Sequence, residues 1–101
     1  MKNQGKVALI TGAGQGIGLE IAGVLAEKGH HVILNDIEKS LTEEAVAEIL
    51  RDAKGKILGI SGDSGDPTFI QEMVGLAERE FGKLDIAIAN AGITLYGDFW
   101  D

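Results

Sequence analysis

The chain contains no cysteine. Disulfides, thiolate metal sites and a cysteine nucleophile are therefore excluded. Basic residues are scarce: nine Lys and Arg stand against sixteen Asp and Glu, for a net charge of -7. A surface of that sign repels phosphate backbones and anionic lipid headgroups, so neither nucleic acid nor a membrane surface is an expected partner. Long apolar runs are lacking as well. The first, from Val7 to Ile10, is interrupted by Thr11 and Gly12, too short for a signal peptide or a membrane span, and the expected location is cytoplasmic. Histidine is confined to the adjacent pair His30 and His31. Neighbours entering a strand point to opposite faces and cannot jointly clasp one ion, so no metal is expected.

What is present fits one compact domain of 101 residues with 45% apolar content. Short apolar runs alternate with longer stretches of helical period, the pattern of βαβ units around a parallel sheet. Four strands and three helices are predicted. The strands fall at residues 6–11, 31–36, 56–60 and 84–89. A first helix over residues 17–28 carries Ile17, Ile21, Val24 and Leu25 on one stripe, with Gly29 as its stop. A second begins at Ser40 with Glu43 completing a capping box, and buries Leu41, Ala45, Ile49 and Leu50. In the third, Asp66 and Pro67 form the cap and first turn, and Ile70, Met73, Val74, Ala77 and Phe81 continue the stripe to Gly82. Residues 93–101 show no period, which leaves the fourth strand as an unpaired edge.

Between the first strand and the first helix, Thr11-Gly12-Ala13-Gly14-Gln15-Gly16-Ile17-Gly18 has glycine at four of eight positions. Such a turn lets backbone approach a pyrophosphate, and the helix start beyond it offers free N–H groups and partial positive charge. Glycine turns also occur simply so that strand and helix can pack, and the pattern alone does not decide. Asp36 adds to it. This residue closes the second strand eighteen positions after Gly18, close to the spacing at which a carboxylate accepts the hydroxyls of an adenosine ribose. A 2′-phosphate there would meet fixed negative charge, and Asn35 and Ile37 provide no arginine to offset it, so NAD is expected over NADP. The third strand runs into Gly62-Asp63-Ser64 and the fourth into Asn90-Ala91-Gly92. All four loops leave the carboxyl ends of parallel strands, where open α/β sheets bind ligands. The expected fold is thus α/β, a Rossmann-type doubly wound parallel sheet of order 3-2-1-4.

Thr11-Gly-x-x-x-Gly16-x-Gly18, Asp36, Asp63 and Ala89-Asn90-Ala91-Gly92 together resemble the N-terminal half of a classical short-chain dehydrogenase/reductase, over residues 6–92. The resemblance implies that Gly12, Gln15, Gly16, Ile17 and Gly18 form the pyrophosphate turn, that Asp36 takes the ribose, and that Asp63 accepts from the adenine amino group with Ser64 beside it. It implies that Asn90, Ala91 and Gly92 run beside the two riboses, with Thr11 tying the first strand to that segment. Two departures stand out. Ala89 replaces the first of two asparagines usual in the fourth-strand motif, and Gln15 is uncharged where NADP-using relatives often carry a basic residue.

The family oxidises or reduces an alcohol–carbonyl pair through a Tyr-x-x-x-Lys and a serine, the tyrosine and lysine meeting on one helix face. The single tyrosine here is Tyr96, and Trp100 stands four residues on. No catalytic residue is therefore expected within the chain, and Tyr96, Phe99 and Trp100 read as surface or packing residues. Residues 1–101 are expected to be one dinucleotide-binding domain, with the catalytic part beyond residue 101, belonging to an NAD-dependent oxidoreductase that acts on a small-molecule substrate, as a homotetramer when whole. Two alternatives are a non-catalytic NAD-binding or redox-sensing module, and a structural domain without a ligand. Glu43 with Glu44, and Asp63 with Asp66, imitate a hydrolase's paired carboxylates. The first pair reads as charge in a helix's opening turn and Asp66 as a cap.

Overall fold

A computed structural model describes residues 5–90 and the strand Thr94–Tyr96. Ala91, Gly92, Phe99 and Trp100, for which the sequence sets expectations, lie outside the described residues, as does the side chain of Tyr96. In chain order the elements are β1 (Val7–Thr11), α1 (Gly16–Glu27), β2 (His31–Asp36), α2 (Lys39–Leu50), β3 (Ile57–Ser61), α3 (Pro67–Phe81), β4 (Ile86–Ala89) and β5 (Thr94–Tyr96). The sheet order is β3-β2-β1-β4-β5, so the expected 3-2-1-4 arrangement is present. β1 lies parallel to β2 on one side, with Leu9 opposite Ile33, and to β4 on the other, with Leu9 opposite Ala87. The direction of winding therefore reverses between β1 and β4, which opens a crevice at their carboxyl ends.

The strands are apolar because both faces of the sheet are covered. All five residues of β1 are buried, and their side chains alternate. Ala8 and Ile10 join Val32, Leu34, Ile86 and Ile88 beneath Ala22 and Ala26 of α1 and Ala45 and Ile49 of α2. Val7 and Leu9 join Ile33 beneath Met73 and Ala77 of α3. Burying a side chain the size of Ile10 or Ile33 contributes about 1.5–3 kcal/mol.

Four expectations are corrected. β4 is not an edge strand: β5 pairs with it antiparallel, Ile88 opposite Leu95, a three-residue strand too short to show a period. The stripe expected on α1 is only half right: Ile21 and Leu25 pack partly buried against the core, but they are not the residues nearest the sheet. Gly18, Ala22 and Ala26 face the sheet, while Ile17 is 64% and Val24 53% exposed. Small residues let a helix lie close on a sheet, and the bulkier ones are left at its flanks. On α2 the buried residues are Thr42, Ala45 and Ile49, and Leu50 is exposed. That helix has no capping box: its cap is Glu38, without a side-chain bond, and Glu43 instead lies 3.9 Å from Lys39, beyond the opening turn. α3 begins as expected, with the Asp66 carboxylate accepting Thr68 N–H at 2.9 Å, and it ends at Gly82 with φ of 80°.

Candidate nucleotide-binding site

The glycine turn occupies the crevice above β1. Gly12 has φ of 63°, and its carbonyl accepts the Asn90 side-chain amide at 3.0 Å. This bond ties the end of β4 to the turn, below which Thr11 stands opposite Ala89. At Gly18 the helix lies close against the turn: a Cβ there would sit 2.7 Å from the Gly12 carbonyl oxygen and 3.0 Å from Asn90 Nδ2. Part of the glycine pattern therefore serves packing. The rest is open. Gln15 caps α1 in extended conformation without a side-chain bond, the first turn holds no acidic residue, and Gln15, Gly16 and Ile17 are exposed. The amides that begin α1 thus have no capping side chain, and a Cβ on Gly16 would meet nothing within 4 Å. That combination suits a bound diphosphate.

Asp36 closes the cradle from β2. Its Oδ2 accepts Gly14 N–H at 3.0 Å and its Oδ1 accepts Glu38 N–H at 3.2 Å. A carboxylate offers roughly four acceptor positions, so two remain for a pair of vicinal hydroxyls. Lys39 lies three residues on and faces Glu43.

The loop after β3 reaches the same edge because Asp36 and Ser61 are opposite one another and Gly62 N–H donates to the Asp36 carbonyl at 3.1 Å. Asp63 is exposed, and its Oδ1 accepts Gly65 N–H at 2.8 Å in a local turn. Ser64 is half-buried beside it. The structure thus brings Gly12, Gln15, Gly16, Ile17, Gly18, Asp36, Asp63, Ser64 and Asn90 to the carboxyl edge of one sheet. Sequence reasoning passed over Asn35 and Thr42. Asn35 is 1% exposed and its side-chain amide donates to the carbonyls of Ile60 in β3 and of Gly62 in the loop after it, while the buried Thr42 hydroxyl donates to the Glu38 carbonyl at 2.9 Å. Neither carries a spacing signal. An amide directly after the apolar run 32–34 is the clue to Asn35.

The histidines lie at the opposite edge and act structurally. His30 Nδ1 accepts Lys6 N–H and His31 Nδ1 accepts Lys56 N–H, each at 2.9 Å, and the His31 ring stacks on Phe81 at 4.9 Å. Among the described residues no group of three or more His, Asp or Glu is placed to hold a metal, and no helix is long and apolar enough to cross a membrane.

A doubly wound sheet with an uncapped glycine turn and a carboxylate at the end of β2 defines the class of dinucleotide-binding α/β folds. Within it, the chain belongs to the short chain dehydrogenase family, whose model matches residues 6–101. It is 40% identical to versicolorin reductase 1 of Aspergillus parasiticus over 97 residues, 96% of this chain and 37% of that protein. It resembles an NAD+-bound xylitol dehydrogenase with a TM-score of 0.77 and 32% identity, covering 86% of this chain and 34% of that one. It also resembles the L-sorbose reductase of Gluconobacter frateurii, solved with NADPH and L-sorbose, with a TM-score of 0.77 and 32% identity over 84% of this chain and 32% of that one. The chain therefore spans about a third of the length of the relatives it matches. Both dinucleotides occur among these solved structures.

Proposed function

We propose that this chain is the NAD-binding portion of a short-chain oxidoreductase that moves a hydride between nicotinamide and a small alcohol or carbonyl compound. The observation that carries the choice of cofactor is the Asp36 carboxylate, held against the glycine turn by Gly14 N–H. In that reading Asp36 receives the 2′- and 3′-hydroxyls of the adenosine ribose on its two remaining acceptor positions. A 2′-phosphate would bring two negative charges onto a third, and Asn35, Ile37 and Gln15 supply no cation to compensate. The uncapped amides at the start of α1 take the diphosphate oxygens, with no lysine or arginine required. In the same reading Asp63 and Ser64 border the adenine and Asn90 serves the riboses, the family resemblance assigning Ala91 and Gly92 to the same task. Nicotinamide, when bound, supplies or accepts the hydride.

The whole protein is proposed to be a cytoplasmic tetramer, in keeping with its family. Calorimetric titration with NAD and NADP tests the cofactor reading. NAD is expected to bind at least about tenfold more tightly, since 1.4 kcal/mol is one decade and repulsion of a phosphate by a nearby carboxylate is at least of that order. Equal affinities would refute it.

A further inference from the structure

Asn35 is the penultimate residue of β2, one before the carboxylate proposed to read the ribose, and it is buried at a point where three backbone segments meet. Its Nδ2 donates to the carbonyls of Ile60 at 2.9 Å, Gly62 at 3.2 Å and Asp36 at 3.3 Å. Its main-chain carbonyl accepts Ala13 N–H from the glycine turn at 2.7 Å. A buried polar side chain is retained only where its hydrogen-bonding groups are matched. Here two amide hydrogens are shared among three carbonyl oxygens from the ends of β2 and β3. The group at this position must therefore be a donor. Aspartate would set a carboxylate against three carbonyls, and leucine would leave those carbonyls without this donor.

We infer that Asn35 is a positioning residue for the adenosine half of the dinucleotide, fixing the Asp36 loop, the Gly62–Ser64 loop and the glycine turn in one relative placement. The inference rests on the NAD reading above. Asp36 and Asp63 come from different strands, and a ligand that touches both gains from each only if their separation is set before binding. The side-chain bonds to Ile60 and Gly62 hold the end of β3 and its loop, the side-chain bond to Asp36 joins them to the ribose side, and the main chain of the same residue, through Ala13 N–H, continues to the phosphate side. Asn35 touches no ligand in this scheme.

The test is calorimetric titration of NAD and ADP-ribose into the 101-residue chain and its Asn35→Leu and Asn35→Ser variants, each held well below its own melting midpoint. A role in stability alone would lower the melting temperature and leave the affinity of the folded chain untouched. The positioning role predicts a loss of about tenfold to a hundredfold for Asn35→Leu, the scale of a displacement near 1 Å. Asn35→Ser, which keeps one donor, should fall between. Binding by the wild type with both variants unchanged overturns this inference and leaves the NAD reading standing. Failure of the wild type to bind either ligand refutes the NAD reading and this inference with it. Should neither variant fold, the wild type decides by nuclear magnetic resonance. The Asn35 side-chain amide protons are expected to shift and exchange more slowly when ADP-ribose is added, and unmoved resonances would overturn the proposal.

Discussion

The Asp36 carboxylate and the Gly14 amide are joined at 3.0 Å, and the close approach depends on Gly14 having no side chain. A Cβ there would stand 2.7 Å from Asp36 Oδ2 and 2.9 Å from Leu41 Cβ. Gly14→Ala must therefore push the carboxylate or α2 aside. The expected outcome is a loss of about tenfold in NAD affinity, together with a narrower margin over NADP, both read by calorimetry. An unaltered margin would mean that this contact does not orient the carboxylate.

Asp36→Ala removes the charge itself. NAD is expected to lose the two ribose contacts and NADP to lose a repulsion, so the ratio of their affinities moves toward one from both sides. An unchanged ratio would show that the carboxylate does not face the ribose.

Strand order, the glycine turn and the four loops at one sheet edge were legible because each rests on a local signal. Continuous apolar runs mark doubly covered strands, and turn residues sit where parallel strands end. The helix faces were less legible. On α1 the large residues Ile17 and Val24 form the more obvious stripe, yet Gly18, Ala22 and Ala26 pack on the sheet, because close helix–sheet packing favours small side chains and periodicity weights large ones. Ser40 and Glu43 had the spacing of a capping box, but α2 starts one residue earlier, at Lys39. Asn35 was readable only as a neighbour of Asp36 that lacks charge. Its three carbonyl partners come from β2 and β3 together, so its task becomes visible only once the β2–β3 register is known.

Asp66 separates the stability of α3 from the site. Its carboxylate caps the helix through Thr68 N–H at 2.9 Å, and no residue of the glycine turn touches that bond. Asp66→Ala is expected to cost about 1 kcal/mol, the usual cost of losing a side-chain N-cap. Denaturant melts should show that loss while NAD affinity stays within about 0.5 kcal/mol of wild type, roughly twofold, because the bond that joins Asp66 to the Asp63 carbonyl, at 3.1 Å, is main-chain and survives the substitution. A larger change in affinity would mean that the Asp63 loop is coupled to the cap.

Asp85 supplies the acid-sensitive fastening of the sheet. Partial burial pushes its carboxyl up, but the Val7 N–H at 2.9 Å and the Lys83 ammonium at 3.3 Å, with more distant Lys6, together bring it below the ordinary value of 3.8. A carboxyl whose pKa is lower in the folded chain stabilises the fold above its unfolded value, and that contribution disappears as pH falls through the folded value. The interaction should thus be fully present at pH 6 and above, and decline below pH 3.8. Asp85→Ala should destabilise the chain by about 0.5–1 kcal/mol at pH 7, the range for one partly exposed hydrogen bond with an ion pair. The gap in melting temperature between wild type and variant should narrow as the pH falls below 3.8. Melting curves from pH 3 to 7 check this, and a gap that held constant across that range would show that the Asp85 charge adds nothing to the pairing of β1 with β4.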